Sequence, residues 1–107
     1  MANSFKNAKV DLTTTNITTL YTAPNNARAI VKSILVSEDS GNADTITVTL
    51  TNASSAVFSL FKVKAVGANT TIELLTAPLV VTEGEIIKVT AATANRLHVV
   101  ASVLEVS

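Results

Sequence analysis

The sequence predicts an all-β fold, a single antiparallel β-sandwich of jelly-roll or immunoglobulin-like type with about eight or nine strands. Three observations carry this. The run Thr45-Ile46-Thr47-Val48-Thr49-Leu50-Thr51 alternates polar and apolar residues without an error, the period of a strand with one wet and one dry face. Turn residues recur at intervals of about ten residues. No segment has a convincing 3.6-residue period.

In chain order, Met1 to Asn7 reads as a short polar arm, and Ala8, Val10 and Leu12 then share one face of a first strand. Ile17 to Ala23 forms a second, broken at Pro24-Asn25-Asn26, because proline fixes φ and asparagine tolerates the left-handed region. Arg28 to Ser37 is apolar on both faces through Ile30, Val31, Ile34, Leu35 and Val36, which predicts a central strand. Glu38 to Asp44 is the most polar segment and reads as a solvated hairpin loop. In the alternating strand that follows, Ile46, Val48 and Leu50 are expected in the core and the four threonines in water. Asn52 to Ser55 turns the chain.

The next strand changes parity. Phe58 and Leu60 are even, whereas Phe61, Val63 and Ala65 are odd, which a period of two allows only through a bulge near Leu60 and Phe61. Lys62 and Lys64 fit the wet side of an edge strand, where lysine discourages edge-to-edge association. Val66 to Asn69 is a turn and Thr70 to Leu75 a strand. Leu79 to Thr82 is short and apolar, and Glu83-Gly84 reads as a hairpin turn with glycine at positive φ. Glu85 to Ala91 and Arg96 to Val106 complete the sandwich, the last with Leu97, Val99, Ala101 and Val103 on its inner face. Leu20-Tyr21-Thr22-Ala23-Pro24 and Leu74-Leu75-Thr76-Ala77-Pro78 echo one another over too few residues for a repeat.

The 107 residues make one domain, 1–107, with the arm at about 1–7. Eight basic and eight acidic residues are scattered singly, which argues against a nucleic-acid partner. The longest apolar stretches are a few residues, far short of the ~20 that span a bilayer, so no membrane partner is expected. The start has no apolar h-region, which makes cytoplasmic synthesis the expectation. Cysteine is absent, removing thiol chemistry and disulfides. Charged residues are 15% of the chain and mean hydropathy is +0.43, a balance that predicts apolar surface covered by another chain.

Candidate chemistry is sparse, and no catalytic residue, cofactor or metal is assigned. His98 is the one imidazole, and its sequence neighbours offer only Arg96 and Glu105 as charged partners. Glu38, Asp39 and Asp44 supply calcium-type oxygen ligands within seven residues, but they do not match the EF-hand spacing. No serine sits in a Gly-x-Ser-x-Gly elbow. Three glycosylation sequons, at Asn16, Asn52 and Asn69, fit chance in a chain this rich in asparagine and threonine. Phe5, with Lys6 beside it, is the candidate assembly contact, either a plug folded back into the core or an insertion into a neighbouring subunit.

The segments Leu20 to Pro24 with Ala29 to Ser37, Glu73 to Leu75 through Pro78 to Val81, Glu83 to Glu85 with Lys88 to Thr90, and Val100 to Ser107 resemble a pattern of small structural proteins of tailed bacteriophages. The resemblance covers about residues 17–107 and rests on strand and turn patterns. It implies a non-enzymatic virion β-sandwich present in many copies and made in the bacterial host cytoplasm. The nearest subtype is a head decoration or cement protein, with a neck or tail accessory protein, such as a fibre or adaptor domain, as the alternative. A carbohydrate-binding attachment module ranks below both, because sugar sites stack rings on aromatic faces and only Phe5, Tyr21, Phe58 and Phe61 are available. The expected partners are the chain itself, as a homo-oligomer and foremost a trimer, and a major capsid or neck or tail protein.

Overall fold

The computed structural model describes residues 3–107. Its regular elements are β1 (Asn3–Asp11), β2 (Thr18–Thr22), β3 (Arg28–Glu38), β4 (Asp44–Thr51), β5 (Val57–Val66), β6 (Thr71–Glu73), β7 (Leu79–Val81), β8 (Ile86–Ala91) and β9 (Leu97–Val106). Among the described residues no helix is long and apolar enough to cross a membrane. Sheet A runs β1-β9-β3-β6, with β7 also paired to β3, and sheet B runs β2-β8-β4-β5.

Every pairing is antiparallel, and most of the pairs are nested: β1 with β9, β2 with β8, β3 with β6 and β7, β4 with β5. Nesting of this kind is one long hairpin with its tip at the β4–β5 turn, rolled so that its arms alternate between two sheets. Pairing of β9 with β3 and of β8 with β4 then completes the sheets. Of the two sandwich types that the strand pattern left open, this is the jelly roll.

The core is the shared inner face. From sheet A come Ala29, Val31, Ile34, Val36, Val81, Leu97, Val99, Ala101 and Val103, and from sheet B come Leu20, Ile46, Val48, Val66, Ile87, Val89 and Ala91. Inside β3 the register shifts between Val31 and Ser33, which makes Lys32 a bulge residue. That shift turns the inward set from odd to even numbers. The Glu73 carboxylate holds the bend, accepting hydrogen bonds from Ser33 Oγ, from Ile34 N at 2.8 Å and from Leu75 N at 3.1 Å.

Several expectations change. Residues 3–7, expected in an arm, are the first half of β1, in register with β9 from Asn3 opposite Val106 to Asn7 opposite Ser102. An edge strand that is polar on both sides looks like an arm, because backbone pairing leaves no mark on side-chain pattern. Met1 and Ala2 lie outside the described residues. Leu50 is half-buried and Thr51 buried, so the alternation of β4 fails in its last two residues, where Thr51 Oγ1 lacks a hydrogen-bond partner. Glu83-Gly84 is a passage from β7 in sheet A to β8 in sheet B, not a hairpin, although Gly84 has the expected positive φ of 78°. The Glu38 to Asp44 segment likewise passes between sheets, from β3 to β4.

The parity change in β5 is a double irregularity. The register with β4 shifts between Lys64 and Phe61 and again between Phe61 and Ser59. At the first shift Val63 adopts φ 52°, and its N–H donates to Thr47 Oγ1 at 3.1 Å. As expected for its lysines, β5 is the edge of sheet B. Phe58, near the start of this strand, is exposed.

Candidate assembly surface

The three carboxylates of the Glu38 to Asp44 segment are directed to three different places. Glu38 ends β3 with 2% exposure, and it receives Ser40 Oγ, Ser40 N at 2.8 Å, Gly41 N at 3.0 Å and Asn69 N at 3.0 Å. Burial opposes its charge, but these four donors outweigh it and hold the carboxyl down at about 2. Asp44 accepts Thr93 N at 3.1 Å, and Asp39 turns toward His98. Among the described residues no three metal-ligating side chains converge. Glu38 is therefore the buried cap of its own loop, not part of a solvated turn.

His98 gains partners that its sequence neighbours do not supply. Nε2 lies 3.1 Å from Asp11 of β1, and Nδ1 lies 3.8 Å from Asp39. Ser37 is its cross-strand neighbour on β3, which places Asp, His and Ser in one row. The row is not a nucleophilic triad, because both ring nitrogens face carboxylates and Ser37 Oγ accepts from Thr71 Oγ1 at 3.1 Å. No spacing in the sequence signals this cluster, since its members lie on strands remote in the chain.

Phe5 and Lys6 separate onto opposite sides of β1. Lys6 Nζ pairs with Glu105 Oε1 at 2.9 Å, and the Tyr21 hydroxyl donates to Glu105 Oε2 at 2.5 Å. This links β1 and β9 of sheet A to β2 of sheet B across the open side of the sandwich. Tyr21 and Lys6 draw the Glu105 carboxyl below its ordinary value, while burial and the neighbouring carboxylate push the Tyr21 hydroxyl up.

Phe5 is 78% exposed and is no core plug. It stands opposite Leu104, which stands opposite Ile30, which stands opposite Val80. One apolar row therefore crosses all of sheet A on its outer face, ending at Val80, 53% exposed. Two pairs further along the strands lies a second row, Lys9, Val100, Leu35 and Glu73, in which Val100 and Leu35 are exposed. Between them run Asn7, Ser102 and Ser33. The two-sided apolarity of β3 predicts a central strand, and β3 does lie between β9 and the pair β6 and β7; its outward members, Ile30 and Leu35, belong to this open face.

The chain is similar in fold to a protein of the Bacillus endospore appendages, a novel family of disulfide-linked pili, with TM-score 0.58, 9% identity, and coverage of 98% of this chain and 88% of that one. It is also similar to a chain in the structure of infectious bursal disease virus, Gt strain, with TM-score 0.48, 10% identity, and coverage of 98% of this chain and 30% of that one. The chain thus spans less than a third of that viral chain. No family model matches it, and no curated protein does. At these identities the likeness is one of fold.

Proposed function

We propose that this chain is a non-enzymatic structural subunit of a bacteriophage virion, of the head decoration or cement type, which self-associates and seats on a major capsid protein. The observation that carries the reading is the apolar row Phe5, Leu104, Ile30 and Val80, open on the outside of a domain whose core is already complete. Exposed contiguous apolar surface of this kind marks interaction sites in stable domains. The resemblance of the strand and turn segments to those of tailed-phage structural proteins supports the particle type. The Bacillus appendage protein supports the assembly role, as its fold serves a pilus. In that family the links are disulfides, whereas this chain has no cysteine to form them.

The test is quantitative mass spectrometry of purified particles. Hundreds of copies per particle, scaling with the major capsid protein, support the decoration role. A dozen or so would move the chain to the neck or tail, and its absence from particles would overturn the virion assignment.

A further inference from the structure

We infer that the outer face of sheet A is a two-fold interface between copies of this chain, formed by the rows Phe5-Leu104-Ile30-Val80 and Lys9-Val100-Leu35-Glu73. The inference rests on the self-association proposed above and names its surface and symmetry. A two-fold axis parallel to the strands, passing between β9 and β3, lays the β1 side of one copy over the β6 and β7 side of the other. Each row then meets itself reversed. In the first row Phe5 faces Val80 and Leu104 faces Ile30, large against small at the ends and aliphatic against aliphatic in the middle. In the second row Lys9 faces Glu73 and Val100 faces Leu35.

Charge complementarity selects this occupant. Cross-strand register places the cation of the second row on β1 and its anion on β6, so reversal brings unlike charges together at both ends. Glu73 is ionised: burial opposes its charge, but Ser33 Oγ and the Ile34, Leu75 and Leu74 amides hold its carboxyl below the ordinary value. Of the other charges on the face, the exposed Lys32 of the β3 bulge lies beside the axis and approaches its own copy, a cost that the paired ends of the second row must offset. Arg28 and Val106 are cross-strand partners and exchange places, Asp11 falls over Thr71, and His98 falls over Ser37. An isologous contact requires a patch complementary to itself, which a row of one charge sign could not supply. Aligned packing of two twisted sheets at about 30° keeps the central pairs, Leu104 on Ile30 and Val100 on Leu35, in closest contact.

The face is about 27 Å by 19 Å, on the order of 500 Å² in projection, at the small end for a stable interface. The pair should therefore form at high protein concentration, as on a crowded particle, and be weak in dilute solution.

Sedimentation velocity of the full chain, in a concentration series reaching hundreds of micromolar, tests this. The wild type should shift from monomer to dimer. Phe5→Glu and Val80→Lys should each weaken the dimer about tenfold or more, with circular dichroism melts showing both variants folded. An equimolar mixture of the two variants should recover association, because the mixed pair sets Glu against Lys at one end and keeps Phe5 against Val80 at the other. A concentration-independent monomer, association untouched by either variant, a mixture that fails to recover, or a three-fold assembly would each overturn the interface. Presence of the chain in purified particles is read separately by mass spectrometry. The virion reading can therefore stand while this one falls.

Discussion

Sheets A and B present the same chemistry inward and different chemistry outward. Inside, both contribute valine, isoleucine, leucine and alanine to one core. Outside, a row crossing sheet B reads Thr19, Lys88, Thr49 and Ser59, whereas the corresponding row on sheet A reads Phe5, Leu104, Ile30 and Val80. In that row β2, β8 and β4 are polar on their outward side, and the exposed large apolar residues of sheet B, Val57, Phe58 and Val63, are confined to its edge strand β5. Sheet A departs from that pattern where burial inside the chain cannot be the reason. The fold constrains only the inner faces, so an outer face can take the character that a partner requires.

The largest effect that would sharpen this contrast separates the two sides of β3. Ile34 is fully buried and Leu35 is exposed. Ile34→Ala should cost about 2 to 5 kcal/mol in urea unfolding, from lost burial and a residual cavity. Leu35→Ala should cost much less. Comparable losses at the two positions would mean that the outer face of sheet A is part of the folded core and would remove the contrast.

Acid should act on the carboxylates that tie the sandwich together, including Glu73 at the end of the second outer row. Glu38, Glu73 and Glu105 all titrate below their ordinary value of 4.5 in the folded chain. The stability they confer is therefore present above that value and is lost as pH falls below it, for Glu38 as pH approaches about 2. Glu38→Gln replaces a carboxylate that accepts four hydrogen bonds by an amide that must point its own N–H groups at other donors. Its melting temperature should lie below wild type at neutral pH, and the gap should close as pH approaches 2. A gap constant with pH would show that the Glu38 charge does not hold the loop. A calcium chelator should leave the wild-type melt unchanged, because the Glu38 oxygens already have donors from the chain itself.

The legibility of this molecule follows the same inner and outer division. Inward alternation in β4, β8 and β9 is a direct record of burial, so the strands and most of the core could be read from residue order. Gly84 and Asn26 announced their turns, since both adopt positive φ. Sheet membership could not be read, because a turn sequence does not say whether it closes a hairpin or carries the chain to the other sheet. Glu83-Gly84 and the Glu38 to Asp44 segment therefore read as hairpins, although each carries the chain to the other sheet. Nor could β1 be read as a strand before Ala8, because Asn3 to Asn7 show no inward apolar alternation, and the partners of Phe5 and Lys6, Leu104 and Glu105, lie on a strand remote in the chain. Phe5 stood out as an isolated aromatic, but its row needed the register, which joins positions 5, 104, 30 and 80 that nothing in the linear sequence connects.

A smaller effect lies at the edge of sheet B. Val63 is a β-branched residue at φ 52°, a conformation that costs a non-glycine residue about 1 to 2 kcal/mol. Its side chain is exposed, so little burial offsets that cost. Val63→Asn keeps the backbone N–H that donates to Thr47 Oγ1 and tolerates the left-handed region. It should raise stability by about 1 kcal/mol, read as a higher urea midpoint at unchanged slope. A loss would mean that the valine packs on something that its exposure does not reveal.

The smallest effects on stability give the sharpest test of the two outer faces. Leu35→Thr combined with Val100→Thr gives sheet A the outward chemistry of sheet B. Both positions are more than a third exposed, at 39% and 37%, and threonine suits a strand, so the melt should move little while self-association falls. The reciprocal change, Thr49→Val on sheet B, places one apolar residue between Lys88 and Ser59. It should alter stability by no more than about 0.5 kcal/mol and leave association as in wild type, because a single apolar residue flanked by polar ones does not make a row. If it promoted association as strongly as the sheet A change removed it, any exposed apolar side chain would suffice. The ordered rows of sheet A would then carry no information about a partner.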